Sequence, residues 1–179
     1  GLEVNVFSED IFLAKKLAPW RFKVEKINNI IVYRFPVIDL RPLNITYSID
    51  PPTFMGALLN CKADIMHAHG YEVFSSDIFG PLVRKLKKIP FILHLHGFPQ
   101  LQGSLRSLRH KLYRNIVGQM AFELADKIIA NSQAVANQFI NYGVNADKVE
   151  VIYNGVDIAD FANDDGEAFR KRYDLSDEE

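Results

Sequence analysis

Pro90-Phe91-Ile92-Leu93-His94-Leu95-His96-Gly97-Phe98 decides how this 179-residue chain is read. The run is apolar, has no helical spacing, and closes on histidine and glycine. A short apolar run set between helical patterns reads as a parallel strand buried on both faces. Pro90 suits the first position of a strand, where no ladder N–H is needed. Gly97 allows a sharp exit. In open parallel α/β sheets, ligands bind just beyond the carboxyl ends of the strands. His96 falls at such an end, and the chemistry is expected there.

The surroundings alternate. Residues 64–68 read as a strand. Residues 75–88 read as a helix with Ile78, Leu82, Val83 and Leu86 on one face. A long helix is expected over 104–125, with a break near Gly118. A strand follows over 127–130, then a helix capped by Ser132 and ended by Gly143. A last strand over 149–152 runs into a turn at Asn154-Gly155. Such alternation implies right-handed crossovers and an α/β fold: a Rossmann-like parallel sheet with helices on both faces.

Upstream the pattern is looser. Residues 2–7 read as a strand, and 8–20 as an ambiguous stretch with a short helix stopped by Pro19. Residues 22–27 and 30–35 flank Asn28-Asn29, a hairpin turn. Residues 36–42 read as loop. Asp50 before Pro51-Pro52 marks a helix start within 46–60. Residues 161–179 are charged, with one short helix over 167–173. A Rossmann-like half usually opens with a central strand and a Gly-rich loop. No G-x-G-x-x-G is found here, and residues 1–7 read as a second strand rather than a first.

Composition excludes several classes. Hydrophobic residues make up 48% and charged residues 24%, with a net charge of −1. That is an ordinary globular balance, large enough for one domain with a substantial core. It offers no electrostatic case for nucleic acid. Cys61 stands alone, so neither an internal disulfide nor a four-cysteine metal site can form. No apolar run approaches the ~18 residues of a membrane-spanning helix. No secretory signal is read at Gly1-Leu2-Glu3. The expectation is a cytoplasmic protein.

Two H-x-H patterns carry the candidate chemistry: His67-Ala68-His69 and His94-Leu95-His96. The two-residue period of a strand puts both members of each pair on one face. His67 and His94 are expected to pack inside, each with a hydrogen bond satisfied. His69 and His96, at the strand tips, are expected to meet ligand, with Gly70 and Gly97 leaving room beside them. The 104–114 segment is basic, with Arg106, Arg109, His110, Lys111 and Arg114. Arginine forks grip phosphates well. The same composition also suits a peripheral contact with an anionic membrane, or a solvated helix face.

The order of motifs carries a resemblance. Asp64-Ile65-Met66-His67-Ala68-His69 comes first, then 90–97, then Ala125-Asp126-Lys127-Ile128-Ile129-Ala130-Asn131-Ser132. Last comes Val149-Glu150-Val151-Ile152-Tyr153-Asn154-Gly155-Val156-Asp157, with Phe161 soon after. The series resembles the amino-terminal half of glycosyltransferase family four (glycosyl transferase group 1), retaining enzymes of the GT-B fold that use nucleotide-sugars.

The resemblance implies two Rossmann-like domains facing each other across a cleft. Residues 1–160 would form the acceptor-side domain and 161–179 the start of the linker. A carboxy-terminal domain, absent here, would bind most of the donor. A nucleotide-sugar and a saccharide or lipid-linked acceptor would be the partners, with no metal and no other cofactor. His96 matches the family histidine that touches the donor sugar. Gly97 and Phe98 match the loop beside it, and the Ser132 turn and the Asn154–Asp157 turn match the cleft edge and the approach to the linker. Arg106, Arg109 and Arg114 are candidate phosphate contacts. The family's opening strand, Gly-rich loop and first helix have no counterpart. The chain therefore reads as a fragment, inactive alone.

Two other readings stay open. One is a metal-dependent hydrolase using His67, His69, His94 and His96, for which no carboxylate ligand sits at an obvious spacing. The other is a non-catalytic Rossmann-like binding module or a GT-B nucleotide-sugar epimerase. The missing glycine fingerprint argues against a dehydrogenase.

Overall fold

A computed structural model describes residues 1–10, 21–39, 48–97, 108, 111–160 and 166–175. The expectations that fall on 11–20, 40–47, 98–107, 109–110, 161–165 and 176–179 lie outside the described residues. Phe98, Arg106, Arg109 and His110 are among them.

Strands β1 (Val4–Asp10), β2 (Lys23–Ile27) and β3 (Ile30–Pro36) form a three-stranded sheet. β1 and β3 are parallel, and β2 and β3 form the expected antiparallel hairpin. Asn28 turns it with φ 53°, a conformation asparagine tolerates. The loop expected over 36–42 needs correcting: β4 (Ile38–Asp39) pairs antiparallel with β5 (Ser48–Ile49). Val37, 2% exposed, is anchored in the interior and holds the chain extended into β4.

Helix α1 (Pro52–Asn60) begins on proline, whose fixed φ suits the first turn. Asp50 makes no capping hydrogen bond to it; Pro51 is the cap residue. At the far end, the Lys87 ammonium donates to the carbonyls of Leu59, 3.1 Å away, and Cys61, satisfying groups a helix end leaves open.

β6 (Met66–His69) leads into a π-helical turn, Ser75–Phe79, and then α2 (Gly80–Lys87). The sequence pattern predicts Leu82 and Leu86 facing inward with Val83, but both are exposed. Phe79, Gly80, Pro81 and Val83 are buried instead. The wide turn inserts an extra residue and rotates everything after it. β7 (Phe91–Leu95) matches the expected strand. Residues 111–124 are helical and contain a π turn, Arg114–Gly118, at the predicted break, followed by α3 (Gln119–Leu124). β8 (Lys127–Ala130), α4 (Gln133–Asn141) and β9 (Val149–Val151) follow, and α5 (Gly166–Tyr173) comes last.

β6, β7, β8 and β9 form one parallel sheet in that order. Phe91, Leu93, Leu95 and Ile128 are fully buried against Phe122 of α3 and Phe139 of α4. Asp126 aligns the near edge. Its carboxylate accepts the Phe91 N–H at 2.8 Å and both Arg84 guanidinium bonds, at 2.7 and 2.8 Å. A second core cluster joins Phe35 of β3, Phe54 of α1 and Phe79. The α/β class and the parallel sheet are as expected.

Candidate functional site

Register brings the two H-x-H motifs side by side. β6 and β7 are parallel, with His67 opposite Ile92 and His69 opposite His94. These residues lie on the face away from Phe91, Leu93 and Leu95, because alternate strand residues point to opposite sides. The result is a ladder of four imidazoles. Ring centroids are 4.4 Å apart for His67–His69, 5.0 Å for His69–His94 and 4.6 Å for His94–His96. His69 Nδ1 lies 3.2 Å from His96 Nε2, a hydrogen bond in which one ring supplies the proton.

The expectation that His67 and His94 pack inside with a satisfied hydrogen bond does not hold. His67 is exposed. His94 is half-buried, and both its ring nitrogens are sealed from solvent with no hydrogen-bond partner. The His94 ring is stacked with those of His67 and His96, at 5.5 and 4.6 Å between centroids. Burial there pushes the His94 imidazole down to about 4, and any positive charge on His96, His69 or His67 pushes the same way. Partial desolvation also lowers His67 and His69, with neighbouring imidazole charge second. His69 and His96 are both exposed, as the strand-tip reading predicts.

The loops after the strands are shaped for close approach. Gly70 (φ 92°) donates its N–H to the His94 carbonyl at 2.9 Å, carrying the ladder one residue past β6. A side chain there would meet Val73 at 2.9 Å. Gly97 (φ 137°) has open space around the position a side chain would take. Both need the backbone freedom of glycine. Ser76 donates its hydroxyl to the His69 carbonyl at 2.8 Å, pinning the tip of β6.

Two buried acids stand near these loops: Asp77, which nothing in the sequence singles out, and Asp50, read there only as a helix start. Asp77 is wholly buried and accepts the Glu72 N–H and the Tyr113 hydroxyl, each at 2.7 Å. It thereby ties the loop after β6 to the helix that follows the loop after β7. Burial raises its carboxyl to about 7 against the pull of those two donors. Asp50, 3% exposed, is also raised to about 7, first by burial and then by the charge of Glu9. Ser75 lies near enough to oppose that rise, yet neither Asp50 oxygen has a partner in hydrogen-bond geometry. Ser75 donates to Glu9 at 3.3 Å, linking the tip of β1 to the helix after β6. A helical wheel built on Ile78, Leu82, Val83 and Leu86 puts Asp77 on the opposite, solvent side, so no local signal marks it; the π turn that shifts the helical phase is what buries it.

The other candidates are less concentrated. Ser132 caps α4 by accepting the Val135 N–H at 3.2 Å, so its oxygen already has a structural task. Leu95 pairs with Ala130, which sets Asn131 and Ser132 along the same edge as His96. Asn154 is exposed three residues past β9. The Arg114 guanidinium lies 4.6 Å over the Tyr142 ring. Tyr142 closes α4 and Ser132 opens it, so that stacking holds Arg114 toward the end of α4 remote from Ser132. Among the described residues, no helix is long and apolar enough to cross a membrane.

Comparison with known proteins bears on the family and the fold. The family model for Glycosyltransferase Family 4 matches residues 1–160. The chain is 28% identical over 138 residues to an uncharacterized glycosyltransferase of Methanocaldococcus jannaschii, covering 73% of this chain and 35% of that protein. It is 27% identical over 130 residues to a D-inositol 3-phosphate glycosyltransferase of Kribbella flavida, covering 66% and 30%. The fold is similar to that of HepE from Anabaena in complex with UDP (TM-score 0.52, 21% identity) and with UDP and glucose (0.53, 22%). Each superposition covers 80% of this chain and 36% of HepE. The chain thus spans about a third of the length of these proteins. Its fold is that of an amino-terminal GT-B domain, and the chain belongs to glycosyltransferase family 4.

Proposed function

We propose that the protein of which this chain is part is a retaining glycosyltransferase, moving a sugar from a nucleotide-sugar to a hydroxyl of a saccharide or lipid-linked acceptor. In this reading residues 1–160 form the acceptor side of a cleft and 161–179 lead toward a second, donor-binding domain. The relatives, about three times as long, support that division. UDP in HepE supports a nucleotide-sugar donor.

One observation carries the reading: the exposed His69–His96 pair at the carboxyl edge of a parallel sheet, in a family 4 chain. In transfer, the bond from the anomeric carbon to the diphosphate oxygen breaks. The acceptor oxygen bonds to that carbon from the same face, and its proton goes to the departing diphosphate. With His69 Nδ1–H as the donor to His96 Nε2, the tautomer this role requires, His96 keeps an Nδ1–H to donate to a sugar hydroxyl and orient the ring. Gly97, Ser132 and Asn154 line the approach. No metal takes part in this step. Arg106 and Arg109, outside the described residues, carry no part of the reading.

The test is His96→Ala in the full-length protein, assayed for release of nucleoside diphosphate and for glycosylated product. Turnover should fall by about tenfold to a thousandfold, the scale of one preorganised donor. The 179-residue chain alone serves as the blank, with no transfer expected. Turnover equal to the parent's would remove His96 from the mechanism.

A further inference from the structure

Four imidazoles crowd the outer face of β6 and β7, and the transfer described above uses only two of them. His67 and His94 have no part in it. Strand geometry nevertheless draws His67 and His94 together with His69. His67 and His69 are two residues apart on β6, and His69 is the cross-strand neighbour of His94. One ring nitrogen from each lies within 4.8 Å of the other two. A tetrahedral zinc with Zn–N bonds of about 2.0–2.1 Å holds its nitrogens about 3.4 Å apart. His67 and His69 are exposed, so rotation of their rings can close the triangle.

Two further observations point to a ligand. Both His94 nitrogens are sealed and unpartnered, which is costly for a polar group. Coordination of one of them relieves part of that cost. The donor set is also selective. Three imidazoles without a carboxylate suit zinc, copper or nickel rather than magnesium or calcium. Three protein ligands leave a fourth position open.

We infer that His67, His69 and His94 form a binding site for a divalent transition-metal cation, and that filling it suppresses sugar transfer. Drawing the His69 ring inward toward His67 and His94 takes it away from His96, whose orientation it fixes. The binding half stands on the three histidines alone. The suppression half rests on the proposed transferase reading.

The experiment uses the full-length protein, stripped with chelator and dialysed, with zinc chloride as probe and magnesium chloride as control. Calorimetry should show one zinc per chain and no magnesium binding. His67→Ala and His94→Ala should each weaken zinc by about tenfold or more, as expected when one of three ligands is lost. His67 is exposed, so its variant is the safer one for folding, checked by circular dichroism. No zinc binding, or zinc binding unchanged in both variants, overturns the site. In parallel, zinc should inhibit the parent enzyme, and His67→Ala should need a correspondingly higher zinc concentration, each protein scored against its own metal-free rate. Stoichiometric zinc with undiminished transfer overturns the suppression. A protein that transfers from no nucleotide-sugar refutes the transferase reading, while the calorimetry still decides the site.

Discussion

In the four-stranded sheet, β7 sends Phe91, Leu93 and Leu95 into the core and Ile92 and His94 to the other side. In the three-stranded sheet, Phe7, Tyr33 and Phe35 share one face, and the exposed Phe22, just before β2, lies against them. They form a stack of rings with centroids 4.7 Å apart for Phe7–Tyr33 and 4.8 Å for Phe22–Phe35. Phe54 of α1 closes that stack, 4.6 Å from Phe35. One core mixes aliphatic side chains with rings, and the other is almost wholly aromatic. The difference has a functional side. Every histidine of the ladder stands on the parallel sheet, whose strands all end at one edge and so collect side chains there. The hairpin sheet points its strands both ways, and from it Glu9, near the end of β1, reaches that edge through its bond to Ser75.

The strongest way to break this contrast is to hollow out the aromatic core. Phe35→Ala removes a fully buried ring and should cost about 3–5 kcal/mol of unfolding free energy in urea. Because the parallel sheet has its own cluster, hydrogen exchange should show β1 and β3 losing protection while β7 and β8 keep theirs. Equal loss in β7 would mean that the two clusters are one cooperative core.

A smaller effect probes the parallel side through pH. Asp77 is raised from 3.8 to about 7, so between those values the folded chain holds a proton that the unfolded chain has lost. The folded state binding more protons makes its contribution fall as pH rises through that window, and level off below and above it. Asp77→Asn keeps an acceptor for Glu72 and Tyr113 and removes the ionisation. Relative to the parent, the variant should gain about 2–4 kcal/mol between pH 4 and pH 8. His94 titrates across the same range with the opposite sign, but it is present in both proteins and drops out of the difference. A pH-independent difference would show that Asp77 ionises freely in the folded chain.

The same contrast governs what could be read from residues alone. β7 and β8 were legible to the residue, because buried parallel strands leave unbroken apolar runs between helical patterns. The strand-tip positions of His69 and His96 followed from period two. Their contact did not, because register between strands 27 residues apart leaves no local trace. Leu82 and Leu86 were misplaced because a π turn shifts helical phase without changing composition. β4 and β5 are two residues each, too short for any periodicity. The role of Asp77 depends on a Tyr113 hydroxyl 36 residues away.

The two cores meet at α2, and the finest test of their separation is one methyl group there. Phe79 belongs to the aromatic cluster, and the next residue, Gly80, lies against Phe91 of the parallel sheet. Gly80 has ordinary helical angles, φ −52° and ψ −61°, so its backbone does not require glycine. Packing does: a Cβ there would sit 2.7 Å from the Phe91 ring tip. Alanine gains about 1 kcal/mol of helix propensity over glycine. Overpacking a filled core costs about 1–3 kcal/mol. Phe91 is fully buried and has no open side to swing toward, so the clash should win, leaving Gly80→Ala about 1 kcal/mol less stable. Phe91→Leu in the Gly80→Ala background should recover part of the loss, a coupling that a double-mutant cycle measures directly. A more stable Gly80→Ala protein would show that α2 can move off β7, and that the parallel core yields at the seam where the aromatic one begins.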